Sequence, residues 1–195
     1  YNTNEKQFEI QVMLEINEKT SKLTEIDFVT SPNFDDRPKS ISIDTIIIHC
    51  ISLPEGEYDN NYVIDFFQNR LDTSVDDSFK SLENFKVSSH LFIRRDGQII
   101  QMVPFNKRAW HAGKSSFNGR SNFNDFSIGI ELEGTISSKY TNKQYQSLNN
   151  VIASLKALYT NITNDNIIGH CDIAPDRKSD PGAFFDWGRV KQGEL

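Results

Sequence analysis

The chain has 195 residues, a length that suits one domain, because single hydrophobic cores seldom grow past roughly 300 residues and average domains are far smaller. A hydrophobic content of 37%, with 14 Phe and 2 Trp, exceeds what disordered chains carry, so a packed core is expected. Twenty-seven acidic against 21 basic residues give a net charge of -6, which repels a phosphate backbone and argues against nucleic acid as a partner.

In chain order, Tyr1 to Lys22 is polar and acidic, without the basic flank and apolar core of a signal segment. Residues 1–26 read as a partly ordered N-terminal arm, and 27–195 as the folded domain. The segment 31–38, where two prolines bracket Phe34, reads as an ordered loop. Thr45-Ile46-Ile47-Ile48-His49 is β-branched without alternation, the pattern of a strand buried on both faces. A short helix is expected over Tyr62 to Leu71, and plain surface over the acidic, weakly patterned Val75 to Asn84. Val87 to Arg94 and Gln98 to Val103 form a predicted hairpin through Asp96-Gly97, because Gly accepts the positive φ of a tight turn.

Phe126 to Glu133 alternates, which puts Phe126, Ile128, Ile130 and Leu132 on a core face and Ser127, Gly129, Glu131 and Glu133 on the other. The clearest helix runs from Thr141 to Asn161, with Tyr145, Leu148, Val151, Ile152, Leu155 and Leu158 at three- and four-residue intervals and a Thr141/Gln144 capping box. Asn166 to Gly169 is a last strand signal, ending at His170 and followed by a Pro- and Gly-punctuated loop. Interleaved strands and helices predict a single α/β domain, a mixed central sheet flanked by helices. No run approaches the roughly 18 apolar residues of a membrane span. Cys50 and Cys171 are too few for a disulfide framework, which points to a reducing compartment, the cytoplasm, and the chain is expected to be a soluble monomer.

Two of the four histidines, His49 and His170, directly follow apolar strand runs, and strand ends are where α/β folds place their sites. A catalytic zinc site takes three protein ligands and keeps one position open. His49, His170 and Asp180 would supply that set, although each histidine taken alone reads better as a satisfied polar residue at a strand end. Cys50 and Cys171 each follow one of these histidines, so a closed Cys₂His₂ structural site is the competing arrangement; strand alternation instead turns both thiols into the core.

Four segments go further: His49-Cys50-Ile51-Ser52-Leu53-Pro54, Asn106-Lys107-Arg108-Ala109-Trp110-His111-Ala112-Gly113, Phe126 to Gly134, and Gly169 to Gly182. Together they resemble the AmpD family of N-acetylmuramoyl-L-alanine amidases, within the wider group that shares the peptidoglycan-recognition-protein fold. The resemblance runs in order from about Ser31 to Arg189. It implies that His49, His170 and Asp180 hold Zn²⁺, that Glu131 rather than Glu133 is the general base, and that Lys178 is an electrostatic helper. It further implies a muropeptide substrate, cut between (anhydro-)N-acetylmuramic acid and L-alanine during cell-wall recycling. Trp110 and His111 look like a wall of the substrate cleft, and Arg120, Arg177 and Lys107 are candidates for its carboxylates. Lys86 stands where related amidases often have arginine, so a point charge replaces a bidentate fork, and Cys50 replaces a frequent asparagine. His90 reads as a structural strand histidine. A non-catalytic peptidoglycan-binding module of the same fold is the alternative; a lost zinc ligand would be its sign, and all three are present.

Overall fold

Ile46, Ile47 and Ile48 are wholly buried, as a strand without alternation requires, and the molecule is layered around them. The computed structural model describes residues 12–191. Its central sheet has six strands: β1 (Asp27–Phe28), β2 (Thr45–Ile51), β3 (Leu91–Ile93), β4 (Ile99–Gln101), β5 (Ser127–Glu133) and β6 (Ile167–Gly169). Their spatial order is β6-β2-β5-β3-β4-β1. The first four in that order run parallel, β4 is antiparallel to β3, and β1 is parallel to β4, so the sheet is mixed.

Among the described residues, four α-helices accompany the sheet: α1 (Tyr62–Phe67), α2 (Asn142–Leu158), α3 (His170–Ile173) and α4 (Gly188–Lys191). The apolar stripe of α2, Tyr145, Leu148, Val151, Ile152 and Leu155, packs on Ile46, Ile48, Ile128, Ile130 and Leu132. Each such side chain contributes roughly 1.5–3 kcal/mol by leaving water. The opposite face is covered in two parts. Residues of α1 join Phe92, Ile100 and Met102, while Ile173 of α3 joins Ile47, Ile168, Ala112, Phe123 and Phe126. The expected capping box is present: Thr141 Oγ1 accepts from Gln144 N and Gln144 Oε1 accepts from Thr141 N, both at 3.1 Å.

The predicted hairpin forms with Gly97 at φ +89°, and β3 and β4 are its arms. Several expectations change. β5 is buried on both faces rather than one, because α2 covers one side and the chain around residues 109–126 covers the other. The segment 31–38 is more than a loop: Phe34–Asp36 pairs antiparallel with Lys107–Ala109. Within the supposed surface stretch, Asp77–Leu82 makes a 3₁₀ turn whose Phe79 is fully buried and meets Tyr62 edge-on at 5.2 Å. After β6 the chain enters α3 at once, with Asp172 Oδ2 accepting from Gly169 N at 2.7 Å.

Of the N-terminal arm, residues 12–26 fold on themselves in an antiparallel ladder, Ile16–Asn17 with Lys22–Leu23, and meet the body through Leu23, which is buried in the main core and donates its N–H to Gln101 Oε1 at 2.8 Å. Residues 1–11 and 192–195 lie outside the described residues. Among the described residues no helix is long and apolar enough to cross a membrane.

Candidate metal centre and active site

The register of three parallel strands assembles the site. His49 of β2 pairs with Glu131 of β5, and Gly169 at the end of β6 pairs with Ile48, so His170 follows beside His49. His170, His49 and Glu131 therefore stand in one row across the C-terminal ends of neighbouring strands, which lie about 4.8 Å apart. Asp180 is brought in by the loop after α3, held by a Cys171 N–H to Asp180 carbonyl bond of 2.9 Å.

His49 Nδ1 lies 2.9 Å from His170 Nδ1, and each is 3.1 Å from Asp180 Oδ2. All three residues are buried. His170 Nε2 is 3.3 Å from the Ala112 carbonyl, which can only accept, so the ring proton sits on Nε2 and Nδ1 presents a lone pair. That lone pair faces a carboxylate oxygen. Two such acceptors held together out of water repel unless a cation lies between them, and two imidazoles with one carboxylate are a donor set that Zn²⁺ accepts. The residues present thus fit a metal. Neither cysteine thiol belongs to the cluster. Cys50 packs against the α2-side core, where burial pushes its thiol up to about 12, and Cys171 lies in α3 rather than in a strand.

Glu131 and Glu133 are separated by their partners. Glu133 Oε2 accepts from the Arg95 backbone N–H at 2.9 Å, and Arg94 lies 3.8 Å from Oε1. Glu131 Oε2 is buried and has no hydrogen-bond partner. Burial, and then the Asp180 charge, push the Glu131 carboxyl well above the usual range, while Lys178 opposes them. Burial followed by the neighbouring His170 lowers His49 to about 4, so its imidazole is neutral at pH 7.

Behind the metal cluster lies a layer of hydrogen bonds. His49 Nε2 is 2.9 Å from His111 Nδ1, His111 Nε2 is 3.1 Å from Ser127 Oγ, and Ser127 Oγ is 2.5 Å from the Phe123 carbonyl. The His111 ring lies against Gly129, where an added Cβ would come within 2.4 Å of the ring. His90 accepts from Gly129 N–H at Nδ1 and donates from Nε2 to the Lys107 carbonyl, and burial lowers it to about 3, so it is a neutral, structural histidine.

A family model described as N-acetylmuramoyl-L-alanine amidase matches residues 39–183, which include the whole row and Asp180. The chain belongs to this amidase family, in its AmpD branch. A 1,6-anhydro-N-acetylmuramyl-L-alanine amidase AmpD of Haemophilus influenzae is 48% identical over 167 residues, 86% of this chain and 91% of that protein. AmpD of Escherichia coli is also 48% identical, over 84% of this chain and 88% of its own length. A crystal structure of a selenomethionine AmpD derivative superposes with a TM-score of 0.88 at 45% identity, covering 92% of this chain and 98% of that one. AmiD of Escherichia coli, solved in complex with the substrate anhydro-N-acetylmuramic acid-L-Ala-D-γ-Glu-L-Lys, is 28% identical with a TM-score of 0.58, covering 82% of this chain and 65% of that one.

In this AmpD-family chain the row opens into a cleft of about 550 Å³. Glu131, Lys178 and Arg177 share its polar end with the metal cluster, and Ile51, Leu53, Phe66, Leu82, Phe85 and Val87 form an apolar wall. Not every residue expected to touch substrate is there. Arg120 pairs with Asp44 at 2.9 Å and lies 3.7 Å over the Phe126 ring, so its charge is already engaged. Lys107 binds Asp36, and Trp110 does not line the cleft. Lys86 borders a neighbouring hollow that shares Phe66, Leu82 and Phe85 with the cleft. Both ring nitrogens of His111 are taken, which leaves it none for a substrate. Arg177 spans the Ala112 and Lys114 carbonyls at the cleft edge. Sequence reasoning did not single out Ser127, nor the wall residues Phe66, Leu82 and Phe85. Ser127 shares the Glu131 face and was visible by alternation; the wall comes from segments with no periodic signal.

Proposed function

We propose that this amidase is zinc-dependent and hydrolyses the amide between (anhydro-)N-acetylmuramic acid and L-alanine of muropeptides, in cytoplasmic cell-wall recycling. The observation that carries the reading is the convergence of His49 Nδ1, His170 Nδ1 and Asp180 Oδ2 beside Glu131, whose buried Oε2 has no hydrogen-bond partner. The names of the AmpD relatives and the substrate held by AmiD support the sugar–peptide substrate. Two free thiols suit a reducing compartment.

Zn²⁺ held by His49, His170 and Asp180 would polarise the scissile carbonyl and lower the pKa of water from about 16 toward 7. Glu131 takes the proton of the attacking water and returns it to the departing alanine nitrogen; a raised carboxyl pKa suits a group that must both accept and donate. Lys178, at the same end of the cleft, places positive charge toward the oxyanion that develops, where loss of one such donor costs about 3 kcal/mol. The apolar wall excludes water and so strengthens both effects. Arg177 stands at the edge for a substrate carboxylate.

A binding module of the same fold would have no use for a buried carboxylate without a partner, which favours the enzyme. The test is release of free peptide from anhydromuramyl-peptide, lost on chelation and restored by Zn²⁺. Intact turnover in the chelated protein would overturn the metal dependence, and intact turnover in Glu131→Ala would overturn the assigned base.

A further inference from the structure

We propose that His111 is a positioning residue, which fixes the tautomer and aim of the ligand His49 through a hydrogen-bond chain that can run in only one direction. The inference rests on the zinc reading above. It starts at the Phe123 carbonyl, which can only accept, 2.5 Å from Ser127 Oγ. The single hydroxyl hydrogen of Ser127 is thereby committed to Phe123, and Ser127 Oγ is left to accept from His111 Nε2 at 3.1 Å. A neutral imidazole has one N–H, so His111 Nδ1 is an acceptor. His49 Nε2, 2.9 Å away, must donate to it. The His49 proton is then fixed on Nε2, and its Nδ1 lone pair points at the space it shares with His170 Nδ1 and Asp180 Oδ2.

The opposite direction fails at both ends. It would leave Ser127 Oγ and the Phe123 carbonyl as two facing acceptors at 2.5 Å, and it would place a proton on His49 Nδ1, where the cation must bind. Among the described residues, His111 is the hydrogen-bond partner that His49 Nε2 has. The fold holds the His111 ring in place: it stands 87° to the His49 ring and fills the room that the missing side chain of Gly129 leaves. Outer groups of this kind typically set metal affinity within a range of about 10- to 100-fold.

The test combines three variants with a spectroscopic reading of the unsubstituted protein. Zinc affinity is measured by competition with a chromophoric chelator. His111→Phe keeps a ring but no acceptor and should bind zinc about 10- to 100-fold more weakly; His111→Gln, whose carbonyl can accept from His49 Nε2–H, should recover most of that loss. Ser127→Ala removes one oxygen, leaves the ring in place and should lose several-fold. Imidazole ¹⁵N spectra of the metal-free protein should show both His49 and His111 protonated on Nε2. A His111→Phe protein with unchanged zinc affinity, or a His111 ring protonated on Nδ1, overturns the proposal. Should His111→Phe not fold, Ser127→Ala and the spectra still decide it. Failure of the unsubstituted protein to bind zinc would instead overturn the zinc reading, and the spectra would judge the chain separately.

Discussion

Glu131 Oε2 has no hydrogen-bond partner, whereas Glu133, two residues on along β5, is met by the backbone of Arg95 and the side chain of Arg94. The same residue type on the same strand face therefore sits in two different environments, and the proposed base is the one whose Oε2 has no partner. Glu131→Gln should keep zinc content and lower the rate of peptide release by about 10²- to 10⁴-fold, the usual worth of a positioned base. Glu133→Gln should leave the rate within a few-fold and cost about 1–3 kcal/mol of stability, read by urea unfolding, because a buried charge-assisted partner of the hairpin is lost. Alternation alone could not separate the two, since the residues that decide it sit 38 positions earlier in the chain. Gly129 is similarly specific. A methyl there would overlap the His111 ring, so Gly129→Ala should destabilise by about 1–3 kcal/mol and weaken zinc binding with it.

At the scale of elements, what was legible in the sequence is what local forces determine. The unbroken Ile46–Ile48 run, the stripe and capping box of α2, and the Asp96-Gly97 turn all formed as their residues dictate. Thr141→Ala should lower stability by about 1 kcal/mol and leave turnover unchanged, a separation readable from thermal melts beside activity. The Phe34–Asp36 ladder, the turn over Asp77–Leu82 and the short α3 were not legible. Each is held by a distant partner or a single anchor: Lys107–Ala109 for the first, Tyr62 against Phe79 for the second. The candidate ligands were visible as strand-end histidines and one aspartate, but only the parallel register of β6 and β2 makes the histidines neighbours, and only the loop after α3 brings Asp180 to them. At the expected substrate contacts, Arg120 and Lys107 pair with acids far away in sequence, a partnership that spacing along the chain does not reveal.

For the whole molecule, the proposed zinc would act as a ligand of the folded state. Saturating it at 100 to 1,000 times its Kd should add about 3 to 4 kcal/mol of stability, so chelation should lower the melting temperature. In the metal-free protein, acid should act through the buried neutral histidines, His49, His111 and His90, of which His90 stands apart from the ligand set. Burial and then the Arg37 charge hold it at about 3 when folded, against an ordinary 6.5, so the unfolded chain binds the proton more readily between those values. Stability is complete above pH 6.5 and falls as pH drops toward 3, by about 2 kcal/mol for this group at pH 5. Urea midpoints at pH 7 and pH 5 should show this, and His90→Gln should flatten the slope.

The row of His170, His49 and Glu131 is spaced by backbone hydrogen bonds, while the apolar wall facing it belongs mostly to α1, the 77–87 segment and the chain just after β2, with Ile51 at the end of β2 itself. On the proposed reading, most of the wall is carried by stretches other than those that carry the row, and those stretches can vary without disturbing it. A library varied only at Phe66, Leu82 and Phe85 would explore which wall fragments are admitted, with the chemical step inherited unchanged from the sheet.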